Sequence, residues 1–169
     1  LRIVEIQPDS ELQAIGQFAF SCTKIKNITI PPQITKLSHK VFSGCQNLRD
    51  IKILPNSRLQ IIENSAFKLT NFESFTIPPH VTDMGKNIFN LCGQLHSLVF
   101  PPNSQLKSIP SEIALYSKIR SITIPSHVTK ICKRAFWLKM TLQNVEIPPD
   151  SQLQIIEKEA FSSTSIRSF

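Results

Sequence analysis

Glycine is scarce, four residues in 169, and none of the four belongs to a Gly-rich loop of the kind that cradles phosphate. A nucleophile elbow is missing too, as is any pair of carboxylates outside repeating positions, so the sequence offers catalysis no starting point and reads as non-enzymatic. The four cysteines include no C-x-x-C pair, and there is no run of ~20 apolar residues that could span a bilayer and no charged-then-apolar leader. Acidic residues are outnumbered, 12 against 19 basic, leaving a net charge of +7. That balance favours acidic partners such as nucleic acid, sulfated glycan or anionic membrane without choosing among them.

What the sequence has in abundance is one phrase. Leu48-Arg-Asp-Ile-Lys-Ile53, apolar at its first, fourth and sixth positions, returns at Leu1, Ile25, Phe72, Leu95, Ile119 and Leu142 and begins again at Ile166, with starts alternately 24 and 23 residues apart. A fixed period of this length is the signature of a solenoid, in which each repeat buries its apolar face against two neighbours. The chain divides into a single repeat domain, 1–169, with seven repeats at 1–24, 25–47, 48–71, 72–94, 95–118, 119–141 and 142–165 and the start of an eighth at 166–169. Neither end carries an atypical polar repeat, so the reading is of a piece of a longer, uncapped array with open edges suited to end-to-end self-association.

Each repeat has two halves. The phrase itself is Ile-rich and predicts a short strand, stopped by prolines such as Pro31-Pro32 and Pro78-Pro79, which lack a ladder donor. The second half carries Leu59, Ile62 and Ala66-Phe67, or their equivalents; the step of four and five from Ile62 predicts a short helical turn. The 24-residue repeats add an Asp/Asn-Ser turn (Asp9-Ser10, Asn56-Ser57, Asn103-Ser104, Asp150-Ser151) and lose a residue before the next strand. The unit of duplication is therefore a 47-residue pair. Phe20, Phe42, Phe67, Phe89, Phe136 and Phe161 predict one aromatic stack, broken where Ala114 replaces Phe, with Leu115 or Tyr116 as candidates to fill the gap.

The combination of strand phrase, proline after the strand, and Ala-Phe followed by Cys, as in Val41-Phe42-Ser-Gly-Cys45, resembles the leucine-rich repeat superfamily and more narrowly its BspA-like subfamily. The resemblance implies a right-handed curved leucine-rich repeat solenoid with a concave parallel β-sheet and short helical turns or irregular segments on the convex side. It further implies a cell-surface or secreted antigen of a host-associated bacterium or parasitic protist, a role in adhesion to host matrix proteins or glycans, and no catalytic residues or cofactor. The residues alone leave open an intracellular protein-interaction scaffold in a cytoplasmic setting and, more remotely, a nucleic-acid-binding repeat protein.

Parallel strands ~4.8 Å apart set equivalent residues side by side, so columns rather than local motifs are the candidate sites. With the fourth and sixth strand positions pointing inward, the concave face presents Asn27, Thr29, Asp50, Lys52, Ser74, Thr76, Ser97, Ser121, Thr123, Asn144 and Glu146, a hydrogen-bonding surface suited to a peptide or glycan. Beside it runs a broken basic column of Arg2, Lys26, Arg49, Arg120 and Arg167. Arg120, Lys130, Lys133, Arg134 and Lys139 with an exposed Trp137 form a second candidate, a positive patch on the sixth repeat for an acidic protein or glycan. The simpler account of either is a solvated face that keeps a long array soluble. No small-molecule substrate or metal is expected: His80 and His127, two repeats apart, would stand ~10 Å from each other, too far to share zinc. Cys22, Cys45 and Cys92, each three residues before a strand phrase, are expected to be free buried thiols, as is Cys132. Asn27-Ile28-Thr29 is a lone glycosylation sequon whose occupancy would obstruct the second strand.

Overall fold

Alternation of apolar and polar residues puts the strands where the phrase predicts them. In the computed structural model, which describes residues 4–168, they are β2 (Asn27–Ile30), β4 (Asp50–Ile53), β6 (Ser74–Thr76), β8 (Ser97–Val99), β10 (Ser121–Thr123) and β12 (Asn144–Glu146). Ile28, Ile30, Phe75, Leu98, Ile122 and Val145 turn into the core, while the residues between them face outward. The first copy of the phrase, with Leu1, Arg2 and Ile3, falls partly outside the described residues; the eighth makes a single parallel bridge, Asn144 to Ser168.

The expectation of a helical turn is corrected. Among the described residues no segment is helical. The inward residue of the second half lies instead on a second set of two-residue strands: β1 (Ala14–Ile15), β3 (Lys36–Leu37), β5 (Ile61–Ile62), β7 (Asp83–Met84), β9 (Ser108–Ile109), β11 (Lys130–Ile131) and β13 (Ile155–Ile156). They pair in parallel in the order β1-β3-β5-β7 and β9-β11-β13. After each of them the chain turns through two left-handed residues four apart, one two positions before the Phe column and one two positions after it: Ser65 (φ 57°) and Leu69 (φ 58°) around Phe67, Asn87 (φ 60°) and Leu91 (φ 62°) around Phe89. A left-handed residue interrupts a right-handed helix, so the four-residue spacing belongs to a turn that packs coil on coil. Its backbone groups bond to the next coil, as in Ser65 N–H to the Lys86 carbonyl (3.0 Å) and Phe67 N–H to the Ile88 carbonyl (3.1 Å).

The 47-residue unit is visible in the first sheet. β2 pairs with β4, β6 with β8 and β10 with β12, each across a 23-residue repeat, and no ladder joins β4 to β6 or β8 to β10, which lie across 24-residue repeats. The longer repeats do carry the expected serine turn: the hydroxyls of Ser10, Ser57, Ser104 and Ser151 accept the N–H of the leucine two residues on, at 3.2–3.3 Å. The extra turn and the earlier return to the sheet change where the coil delivers its strand, and the ladder opens there.

The aromatic column stacks as expected, with ring centroids 5.5 Å apart for Phe20–Phe42, 5.9 Å for Phe42–Phe67, 5.5 Å for Phe67–Phe89 and 5.3 Å for Phe136–Phe161. Ala114 and Leu115 are buried in the break, while Tyr116 faces solvent and fills nothing. The backbone register also slips by one residue here. Phe42, Phe67 and Phe89 donate their N–H to the residue before the next member of the column, but in the fifth repeat Ile113 rather than Ala114 donates to Ala135.

One glycine is held by its neighbours. A Cβ at Gly85 would lie 2.4 Å from the Asn64 backbone nitrogen and 2.8 Å from its Cα, whereas Gly16 and Gly93 have nothing within 4 Å. Backbone cannot move aside as a side chain can, so Gly85→Ala is expected to cost about 1–3 kcal/mol in urea unfolding. Gly93→Ala should be near neutral, and equal effects at the two sites would refute the packing account.

Candidate functional site

The concave candidates are on the surface that the strands present. Asn27, Asp50, Lys52, Ser74, Thr76, Ser121, Thr123, Asn144 and Glu146 are exposed, and Thr29 and Ser97 are partly so. Where the ladder opens, the surface deepens. Between β8 and β10 lies a groove of about 550 Å³ with Leu98, Phe100 and Ile122 in its wall, Ser97, Ser121 and Thr123 offering hydroxyls, and Pro102, Pro125 and Pro148 along the rim. A smaller one, about 330 Å³, opens between β4 and β6 beside Asp50, Ile51, Phe75 and Thr76. At the larger groove Val99 is an exposed apolar side chain, Thr123 donates its hydroxyl to Glu146 (2.8 Å), and Asp150 stands at the rim. A partner at this groove would meet the exposed Val99, hydroxyls and the Asp150 carboxylate, with the Thr123–Glu146 pair beside it. Sequence reading named the polar columns but missed the grooves, because they depend on a ladder that fails between particular repeats.

The basic patch of the sixth repeat does not form as expected. Lys139 is a correction: it is 1% exposed, and its Nζ donates to the carbonyl (3.2 Å) and hydroxyl of Ser117 one coil back. Burial lowers the pKa of its amine to about 7, with the Cys92 thiol a smaller opposing influence. Trp137 is half-buried rather than exposed, with the Arg134 guanidinium over its ring at 4.7 Å. Lys130 pairs with Glu157 (2.7 Å) and Arg134 with Glu159, carboxylates that the next repeat supplies. The bond to Glu157 raises the Lys130 pKa, and the bonds from Lys130 and Arg134 lower those of Glu157 and Glu159. Arg120 and Lys133 make no ion pair among the described residues. The positive patch on the sixth repeat is thus neutralised in part by Glu157 and Glu159 of the seventh.

Glu63 repeats the Glu157 arrangement 94 residues earlier, two 47-residue units away. It accepts the His39 N–H (2.8 Å) and pairs with Lys36 (2.6 Å), as Glu157 accepts the Lys133 N–H (2.7 Å) and pairs with Lys130. These carboxylates clasp one coil to the one before it.

The cysteines are free, but not all are buried: Cys45 and Cys92 are, Cys132 is partly so, and Cys22 is exposed. Aligned on the Phe column, the buried position is three residues later and reads Thr23, Cys45, Thr70, Cys92, Ser117, Lys139, Thr164. Thr23 lies 3.4 Å from the Cys45 sulfur and Thr70 3.2 Å from that of Cys92, and the two thiols donate to the carbonyls of Phe20 and Phe67. Burial raises the pKa of both thiols, which keeps them protonated and structural. Cys22 belongs to the left-handed column one position earlier, which explains its exposure. Lys139 is thus the third member of the Cys45–Cys92 series.

The fold resembles solved bacterial proteins. The pneumococcal vaccine antigen PcpA matches with a TM-score of 0.68 and 26% identity over 75% of this chain and 31% of that one. A Treponema pallidum leucine-rich repeat protein matches with a TM-score of 0.74 and 19% identity, over 85% of this chain and 68% of its own. A leucine-rich cell surface protein of Faecalibacterium prausnitzii gives a TM-score of 0.59 and 22% identity, over 83% and 44%. The chain therefore spans about a third of the length of PcpA. No curated protein sequence matches. A family model described as the BspA type leucine-rich repeat region matches in six copies, covering residues 1–95 and 60–169. With strand phrase, proline stop, Phe column and parallel coils all in place over the same span, the chain belongs to the BspA-type leucine-rich repeat family.

Proposed function

We propose that this chain is a non-enzymatic binding array of a surface-exposed protein, holding an extended protein or glycan partner across its concave sheet. The observation that carries the reading is the groove between β8 and β10, where the exposed Val99 and a set of hydroxyls lie open on the concave face over the buried Leu98, Phe100 and Ile122. A preformed surface loses little freedom on binding, so modest contacts repeated along the coils give useful affinity. The surface setting is supported by the PcpA antigen and the F. prausnitzii cell surface protein among the structural relatives. Adhesion to host matrix follows as the expected use.

The test is binding to immobilised fibronectin, fibrinogen and heparin across a salt series. One ligand is expected to bind, with a loss of tenfold or more in Ser121→Arg/Thr123→Arg, which fills the groove mouth. Arg120→Glu/Lys133→Glu separates the concave site from the basic face. Loss only in the basic variant, or no binding to any of the three, would overturn the concave assignment.

A further inference from the structure

The second left-handed column of the turns carries side chains that its backbone does not favour. At φ near +60°, glycine and asparagine are the accommodating residues, and after Phe18 the equivalent column two positions before Phe is polar: Lys40, Ser65, Asn87, Glu112, Arg134, Glu159. Yet four consecutive coils place Leu69, Leu91, Tyr116 and Leu138 at the later position, with φ of 58°, 62°, 60° and 53°. Burial does not account for the first three: Leu69 is 37% exposed, Leu91 38% and Tyr116 57%, while Leu138 is half-buried beside the exposed Met140, two residues on.

These residues are neighbours. The Leu69 N–H bonds the carbonyl of Asn90, beside Leu91, and the Leu91 N–H bonds that of Leu115, beside Tyr116. Leu69, Leu91 and Tyr116 form an apolar row running across three coils, one side chain per repeat, and the half-buried Leu138 holds the equivalent position in the fourth. From the row the chain runs on in alternation: after Tyr116, Ser117 and Ile119 are buried while Lys118 and Arg120 are exposed, so three outward side chains emerge on one side. Lys24, Lys26 and Arg49 resume a basic margin in the first repeats, beyond Glu73 and His96 on the coils of Leu69 and Leu91. A largely exposed apolar row held at unfavourable backbone positions, flanked at Tyr116 by two cations on long stems, has the composition of an interfacial surface.

We infer that this edge of the solenoid docks on an anionic lipid surface, the row of Leu69, Leu91, Tyr116 and Leu138 entering the headgroup–acyl boundary and Lys118 and Arg120 meeting the phosphates. The net charge of +7 supplies the long-range attraction. Because no helix among the described residues is long and apolar enough to cross a membrane, the contact is a peripheral one. It uses a different face from the concave groove and does not depend on the reading given for that groove.

Co-sedimentation with vesicles of phosphatidylglycerol and phosphatidylcholine, 1:1, against phosphatidylcholine alone tests this. The native chain should sediment with the anionic vesicles only. Leu69→Asn/Leu91→Asn/Leu138→Asn should lose binding tenfold or more while its melting temperature holds or rises, since asparagine suits the left-handed backbone. Lys118→Gln/Arg120→Gln should lose a similar factor, and Ser121→Arg/Thr123→Arg should keep binding. A native chain that stays in the supernatant, as it would if an acidic protein were the true partner, overturns the inference; so does a triple variant that sediments like the native chain.

Discussion

Lys139→Cys is expected to stabilise the fold at pH 7 by about 2–4 kcal/mol, although it removes a charged residue from the surface a sequence reading would draw. The amine is 1% exposed and sits in the column occupied by Cys92 and Cys45 two and four coils earlier. A pKa lowered from 10.5 to about 7 by burial means that the folded chain favours the neutral amine by about 5 kcal/mol. The sign follows. Folded chain binds fewer protons than unfolded chain between pH 7 and 10.5, so stability rises with pH through that window and the penalty is complete below it. Cysteine restores the thiol that elsewhere in the column bonds hydroxyl and carbonyl, and the void it leaves offsets part of the gain. Urea unfolding at pH 6, 7 and 8.5 checks both features. The advantage of the variant should shrink by about 1 kcal/mol per pH unit above 7. A variant less stable than the native chain at every pH would mean that the amine keeps its hydration and the column is not the dry seat described.

The same residue shows how far the sequence could be read. Periodicity placed the strands, the inward Ile columns and the aromatic stack, because each depends on residues recurring at one position of every coil. The 47-residue pairing was also legible in the serine turns, though its effect on the sheet was not: a ladder that opens beside β8 and β10 is a property of how long and short coils deliver their strands. Lys139 was read as part of a local charge run, when its distance from Leu142 matches that of Cys45 from Leu48 and Cys92 from Leu95. That signal was present. Counting back from the strand also drew in Cys22, which counting forward from Phe20 places one position earlier, at an exposed turn. The helical turn was misjudged for a different reason. Left-handed residues are usually announced by glycine, and among the described left-handed residues Gly44 is the only glycine, so nothing in composition marked the turns. Glu157 and Glu159 neutralise Lys130 and Arg134 from the next coil, a contact visible only once coils are stacked.

Phe67→Ala should be the most damaging single change in the core, costing about 3–5 kcal/mol. Phe67 is fully buried and stacks on Phe42 and Phe89, and its ring also meets Phe72 edge-on at 5.6 Å and Phe75 at 5.2 Å. Phe20, partly exposed and stacked on Phe42, supplies the comparison and should cost about 1–2 kcal/mol when cut to alanine. Position along the array matters as much as area. In a solenoid each coil is stabilised by two interfaces, and a cavity at Phe67 weakens both at once near the middle of the described coils. Downstream the stack is already interrupted at Ala114, so the coils around Phe136 and Phe161 draw no support through it from Phe89. Phe67→Ala should therefore broaden the urea transition and lower its slope as the two parts begin to unfold separately, while Phe20→Ala keeps one sharp transition at a lower midpoint. If both variants instead lose a similar 1–2 kcal/mol with unchanged slopes, the aliphatic columns of Ile25, Leu48, Leu59 and Ile62 carry the coupling between coils, and the aromatic stack only fills the space between them.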